Sequence, residues 1–233
     1  VVSSDASIDL GFEGYEYKKI LIKRRIDIFC DLIAVFQLYR YMVKAKIAIV
    51  HSTTPKAGLL TAIAAFFARV PIRLHTFTGQ PWVGMAGVKG WLARGGDWLI
   101  AQLNTCCYAD SDSQRQFLID QKIITAHQLH VIGSGSLSGV DLVRFDRERF
   151  SLEQCNALRC SLCIPFESEI ILFVGRITQE KGIRELLEAF HAIKRNGGRA
   201  HLILVGPFDI ESGAGGSLSL DEIADIPDTH FLG

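Results

Sequence analysis

Two cations, Arg176 and Lys181, stand five positions apart in ILFVGRITQEKGIRELLEAF, residues 171–190. The stretch reads as a buried strand, a short glycine loop and an amphipathic helix. Positive charge at a helix start adds to the positive end of the helix dipole, so the pair suits an anion. A diphosphate fits the chemistry: helix amides attract its non-bridging oxygens, Arg forks two of them, and Lys supplies a mobile point charge. Gly175 and Gly182 let the backbone come close. The competing account pairs Arg176 with Glu180 and leaves Lys181 solvated. No G-x4-G-K-[ST] run is present, so this is not a Walker loop.

Three further loops carry unusual residues. HSTTPKAG places His51 and Lys56 around a helix start, and TGQPW brings together Thr78, Gly79, Gln80 and Trp82. GSGSLSGVD contains Gly135 and Ser136. Its G-x-G-x-x-x-G spacing differs from the dinucleotide fingerprint, and no acidic residue follows at ribose distance. It is either a plain turn or a glycine wall that admits a sugar or phosphate to backbone amides. Trp82 either stacks on a sugar ring or packs beneath its loop, and His51 and His75 read as rim or core histidines.

The elements that must position these loops alternate. Strand-like runs are Ile47–Val50, Ile72–Phe77, Cys106–Asp110, Leu129–Ile132, Ile170–Val174 and His201–Val205, short and mostly without polar alternation, as parallel strands covered on both faces require. Helical stripes are expected at Leu32, Val35, Phe36, Tyr39 and Val43, and at Ile183, Leu186, Leu187, Phe190 and Ile193. Thr54-Pro55 reads as an N-cap and first helical residue, Ser111 to Gln114 as a capping box, and Asn196-Gly197-Gly198 as a helix stop. Repeated strand–helix units predict an α/β fold of doubly wound parallel sheets, with ligands beyond the carboxyl ends of the strands. All four loops follow such ends. Residues 1–150 are expected to form one Rossmann-like domain, 151–167 a linker, and 168–233 the start of a second domain.

Bulk properties set the limits. Lys plus Arg number 25, as do Asp plus Glu, so no global field advertises nucleic acid. The longest apolar stretch, Gly58–Val70, is interrupted by Thr61 and Arg69 and is too short to span a bilayer. Lys18, Lys19, Lys23, Arg24 and Arg25 precede an apolar-striped helix, either a solvated face or a contact with anionic lipid. Cys155, Cys160 and Cys163 have an iron–sulfur-like spacing but no fourth partner, so reduced thiols are expected. The opening VVSSDASIDL lacks signal-peptide character and reads as mid-fold, and THFLG stops on a strand, so a fragment is expected at both ends.

IVHSTTPKAGLL, YADSDSQRQFL, GSGSLSGVDLVRF, FVGRITQEKGIRELLEAF and HLILVGPFD, in this order along the chain, resemble the retaining glycosyltransferases of family 4. KRRIDIFCDLIAVFQLYRYM and HTFTGQPW resemble the subgroup that builds capsule, O-antigen and other surface polysaccharides. The resemblance implies a GT-B fold of two facing Rossmann-like domains, here incomplete at the start of the first and in the second. It implies sugar transfer from a nucleotide-diphosphate donor, a UDP-sugar, to a lipid-linked or oligosaccharide acceptor, with retention and with neither metal nor cofactor. Arg176 and Lys181 would hold the diphosphate, with Gly175, Gly135 and Ser136 also on the donor. His51, Lys56, Thr78, Gly79, Gln80 and Trp82 would line the acceptor side. The expected location is cytoplasmic, peripheral at the inner face of the plasma membrane, with no nucleic-acid partner. Two departures stand out: many members carry His where Thr78 stands, and the acidic E-x7-E segment should lie beyond Gly233. An epimerase of sugar nucleotides with the same fold, or a non-catalytic binding protein, are the alternatives.

Overall fold

A computed structural model describes residues 2–3, 17–23, 26–136, 138–178, 181–208 and 226–232. Arg24, Arg25 and Glu180 lie outside the described residues. The chain divides into two compact units, Val1–Val140 and Asp141–Gly233.

In the first unit, β1 (Val2–Ser3) pairs in parallel with β2 (Lys18–Lys19). The main sheet joins β3 (Ile49–Ser52), β4 (Ile72–Phe77), β5 (Cys106–Ala109) and β6 (Leu129–His130) in sequence order, every pair parallel. Helices α1 (Ile28–Lys44), α2 (Pro55–Phe67), α3 (Gly87–Leu103) and α4 (Asp112–Asp120) alternate with the strands, as parallel connections require. The β4 run lies where the pattern put it; β3 starts two residues later, and β6 is only two residues long.

The apolar stripe expected on α1 is overturned. The helix buries Ala34, Leu38 and Met42 against Ile20, Leu60, Ala64 and Ala65; of the expected stripe Val35 packs at the margin of that core, while Leu32, Phe36, Tyr39 and Val43 are exposed. The buried face is thus the Ala34–Leu38–Met42 row, at i, i+4 and i+8, which packs on the α2 residues Leu60, Ala64 and Ala65. Asp27 caps α1 by accepting from the Cys30 amide (3.1 Å). Two other caps differ from expectation. Thr54 precedes Pro55 at the α2 start but makes no side-chain cap bond. Ser111 accepts from the Gln114 amide (3.2 Å), whereas Gln114 Oε1 accepts from Asp110 N (2.7 Å), one residue short of a closed box.

In the second unit, α5 (Leu152–Ser161) carries the complete capping box, between Ser151 and Gln154. The sheet joins β7 (Ile170–Val174), β8 (His201–Val205) and β9 (Thr229–Leu232), all parallel. Helix α6 (Ile183–Arg195) connects β7 to β8 and buries Ile183, Leu187 and Phe190 on Leu202 and Leu204. Leu186 packs at the margin of that core, and Ile193, the last residue of the expected stripe, is exposed. Cys155, Cys160 and Cys163 are free, exposed thiols.

Candidate functional site

The second unit builds a corner from β7, its loop and the α6 start. At the end of β7, Gly175 N donates to Val205 O (2.9 Å), and Ile177 N donates to Pro207 O (3.0 Å). The Arg176 loop is thus stitched to the turn after β8. That stitching requires glycine at 206: its φ is +135°, and an added Cβ would lie 2.2 Å from the Gly175 carbonyl oxygen. Lys181 N donates to Thr178 O (3.1 Å), and the helix opens at Gly182 with no capping side chain. Arg176 and Lys181 are both exposed, and Lys181 directly precedes this uncapped start. The structure therefore brings Gly175, Arg176 and Lys181 to one carboxyl-end loop.

The first unit places the remaining residues on the carboxyl rim of its own sheet. His51 Nε2 and Thr76 Oγ1 are 2.8 Å apart, and Thr78 Oγ1 donates to Thr53 O (3.1 Å), which ties the β3 and β4 ends together. Gly79 borders open space. The Gln80 Nε2 amide is enclosed without a hydrogen-bond partner among the described residues. Gly135 (φ +93°) and Ser136 (φ +77°) turn back onto the end of β5, where Ser136 N donates to Asp110 O (2.6 Å). A Cβ at 135 would meet that same carbonyl oxygen at 2.3 Å, so only glycine fits.

Two expected rim residues are corrected. Trp82 is 9% exposed and belongs to the core: its ring stacks on Phe117 (centroids 5.6 Å apart), Arg94 lies over it, and Nε1 donates to Asp97 Oδ2 (2.7 Å). A sugar has no open face of this indole to stack on. Lys56 is engaged elsewhere, with Nζ 2.7 Å from Asp31 Oδ1 and donating to the Lys23 carbonyl (2.7 Å), so it ties α2 to α1.

Beneath the rim lie two buried titratable groups that sequence reasoning left without a role. His75 is 1% exposed, edge-on to Phe77, with Nδ1 2.9 Å from Ser52 Oγ. Burial, with a smaller push from His51, lowers its pKa to about 4. Asp97 is 3% exposed, and burial raises its pKa to about 6 against the opposing Trp82 hydrogen bond. The signs are opposite. His75, depressed below its unfolded value, withdraws stability as pH falls from about 6.5 to 4; Asp97, raised above its own, adds stability as pH falls from about 6 to 4. Each effect is of order 3 kcal/mol at full extent. Wild-type stability should therefore change little over that interval. Asp97→Asn removes the compensating term, and urea melts at stepped pH should show this variant losing stability steeply below pH 6. A flat profile for the variant would refute the opposition.

Asp110 was also missed. The strand expected to include it ends one residue earlier, so Asp110 is the first residue past β5, and Asp110-Ser111-Asp112 is an Asp-x-Asp run, against the expectation that the chain has none. Among the described residues no group of three or more His, Cys, Asp or Glu is placed to hold a metal ion.

Comparison with known proteins agrees with this geometry. Residues 157–224, which include the Arg176 loop and α6, match the family described as Glycosyl transferases group 1. Over 216 residues the chain is 29% identical to the capsular polysaccharide biosynthesis glycosyltransferase CapM of Staphylococcus aureus, covering 91% of this chain and 54% of that protein. Anabaena Alr3699/HepE, solved in complex with UDP, matches with a TM-score of 0.63 at 15% identity, over 94% of this chain and 55% of the other. The fold is of the GT-B kind. UDP-N-acetylglucosamine 2-epimerase from Rickettsia bellii has a TM-score of 0.58 at 16% identity, covering 97% and 56% of the two chains. The chain thus spans about half the length of the GT-B relatives it matches.

Proposed function

We propose that this chain is the acceptor-side unit and the first part of the donor-side unit of a glycosyltransferase of surface polysaccharide synthesis. It transfers a sugar from a UDP-sugar to a lipid-linked or oligosaccharide acceptor, with retention and without a metal or other cofactor. The observation that carries the reading is the Arg176–Lys181 loop at the uncapped α6 start, inside the stretch that matches the glycosyl transferases. As the glycosidic bond breaks, negative charge grows on the leaving diphosphate. Two cations and the α6 amides stabilise that charge more in the transition state than in the substrate. The likeness to CapM supports a polysaccharide acceptor, and the UDP held by HepE supports a uridine donor.

A place at the cytoplasmic membrane surface completes the reading. Ile28, Phe29, Leu32, Ile33 and Phe36 of α1 are exposed, with Lys23, Arg40 and Lys44 nearby in sequence, a composition suited to an anionic bilayer surface. No helix among the described residues is long and apolar enough to cross a membrane.

The test supplies UDP-sugars to the protein with and without undecaprenyl-linked saccharide. UDP release that requires the acceptor is the expected result. Conversion of the sugar nucleotide with no acceptor present would assign the epimerase activity instead, and no binding of any sugar nucleotide would leave a scaffold.

A further inference from the structure

We propose that His201 and His230 form an acid-sensitive latch: one hydrogen held between their rings fastens β9 to β8, and protonation of both rings opens it. The latch itself does not rest on the glycosyl-transfer reading. On that reading β9 also fastens the turn that sets the Arg176 loop, so acid would slacken the donor corner.

Strand register puts the two rings on one face of the sheet. His201 opens β8, and His230 of β9 pairs with Ile203, two residues further along β8. His201 Nδ1 lies 2.9 Å from His230 Nε2, with ring centroids 5.3 Å apart and planes 17° from parallel. The facing nitrogens are far closer than the ring centres, so the rings meet edge to edge through a hydrogen bond. The outer nitrogen of His201, Nε2, is 3.8 Å from Asp228 Oδ1, and Asp228 Oδ2 is paired with Lys194 of α6. On the β7 side the Glu169 carbonyl accepts from His201 N (2.8 Å), and Arg199 is exposed two residues before His201. Its hydrogen bond to Lys194 holds the Asp228 carboxyl below the usual carboxylate range, so Asp228 stays ionised wherever imidazoles titrate.

Counting protons gives the response to pH. A neutral imidazole has one N–H and one bare nitrogen, so a neutral pair makes the bond in either direction. A singly charged pair makes it too, and charge on the His201 ring faces Asp228. In the doubly charged pair both facing nitrogens carry hydrogen, and two positive rings meet at hydrogen-bonding distance. That state must separate. Burial, and then the His201 charge, lower the His230 pKa against the pull of Asp228. A histidine depressed below its ordinary value of 6.5 withdraws stability as pH falls from there. The load comes on a short strand. β9 has four residues and pairs only with β8 among the described strands. Leu202 N donates to Asp228 O (2.9 Å) at one end, and Gly206 N to Leu232 O (3.2 Å) at the other. So short a strand opens as a unit, and the far bond at Gly206 reports on the latch.

Amide hydrogen exchange of the whole chain, followed by NMR from neutral pH into mild acid, tests the latch. Protection of the Leu202 and Gly206 amides, relative to the unfolded chain, should fall by up to about tenfold per pH unit below 6.5, the slope of one proton. Amides of β4 should keep theirs, since His75 and Asp97 oppose each other in the first unit. His230→Gln keeps an acceptor near the Nε2 position and takes up no proton, so both β8 amides should stay protected in acid. His230→Ala should leave them weakly protected at every pH. Nitrogen–proton correlation spectra of the wild-type imidazoles should show one hydrogen shared between His201 Nδ1 and His230 Nε2 near neutrality and none in acid. Wild-type protection that ignores pH overturns the proposal. So does an equal acid loss in His230→Gln, or a parallel loss in β4. Should the glutamine variant fail to fold, the wild-type imidazole spectra decide, and two rings that titrate without a shared hydrogen overturn the latch.

Discussion

Arg176→Ala is expected to reduce sugar transfer about a hundredfold or more while leaving the protein's melting temperature within a degree or so of wild type. Both halves follow from position. Arg176 is exposed, in a loop whose shape is held by backbone bonds from Gly175 and Ile177 to the turn after β8, so truncating its side chain removes no core contact. On the proposed function it removes a forked donor to charge that develops as the diphosphate leaves, and such a donor acts mainly on kcat. Arg176→Lys should restore charge but not the fork and so recover only part of the rate. Stopped assays of UDP release, with transfer and KM measured separately, make the distinction. An unchanged kcat with only a raised KM would show that the guanidinium binds donor and transition state equally, and near-normal turnover would remove it from the site.

Gly206→Ala should lower transfer as well, but unlike Arg176→Ala it should also lower stability. The new methyl would sit 2.2 Å from the Gly175 carbonyl oxygen, at a φ of +135° that L residues rarely adopt. Neither atom can yield easily, because Gly175 N is bonded to Val205 O and Gly206 N to Leu232 O (3.2 Å). Backbone strain and overpacking each cost about 1–3 kcal/mol, so a total of about 3 kcal/mol or more is expected. The two strands that would have to part are the ones that set the Arg176 loop. Nucleotide binding and transfer should therefore fall together with stability, whereas Arg176→Ala loses transfer at native stability. Calorimetric melting beside UDP titration of both variants separates the cases. Native melting of Gly206→Ala would mean that the loops adjust to a Cβ, and the stitching would not be what holds Arg176.

Much of this arrangement was legible in the residues. Ile170–Val174 is a continuous apolar run, Ile72–Phe77 and His201–Val205 are short and mostly apolar between loop residues, and the structure has each as a parallel strand with those bounds, although β7 leaves Leu172 and Val174 exposed. The charged loop before α6 was equally plain, because glycine and two cations before an apolar stripe are local signals. What escaped was everything decided by a neighbour distant in sequence. The α1 stripe misled because α1 carries apolar residues on more than one face, and the face that packs on α2 is the Ala34–Leu38–Met42 row. Trp82 gave no sign that Asp97 and Phe117 would take its N–H and its face. Asp110 looked like the neighbour of a cap until the Gly135 turn was seen pressed on its carbonyl.

The Trp82 anchor has a kinetic consequence. With its indole bonded to Asp97 in α3 and stacked on Phe117 in α4, the loop that carries Thr78, Gly79 and Gln80 is moored to two helices before any ligand arrives. A rim already in shape needs no slow ordering step after encounter, so association can run at the ordinary rate of a preformed site. Selectivity between ligands then lies in how fast each one leaves.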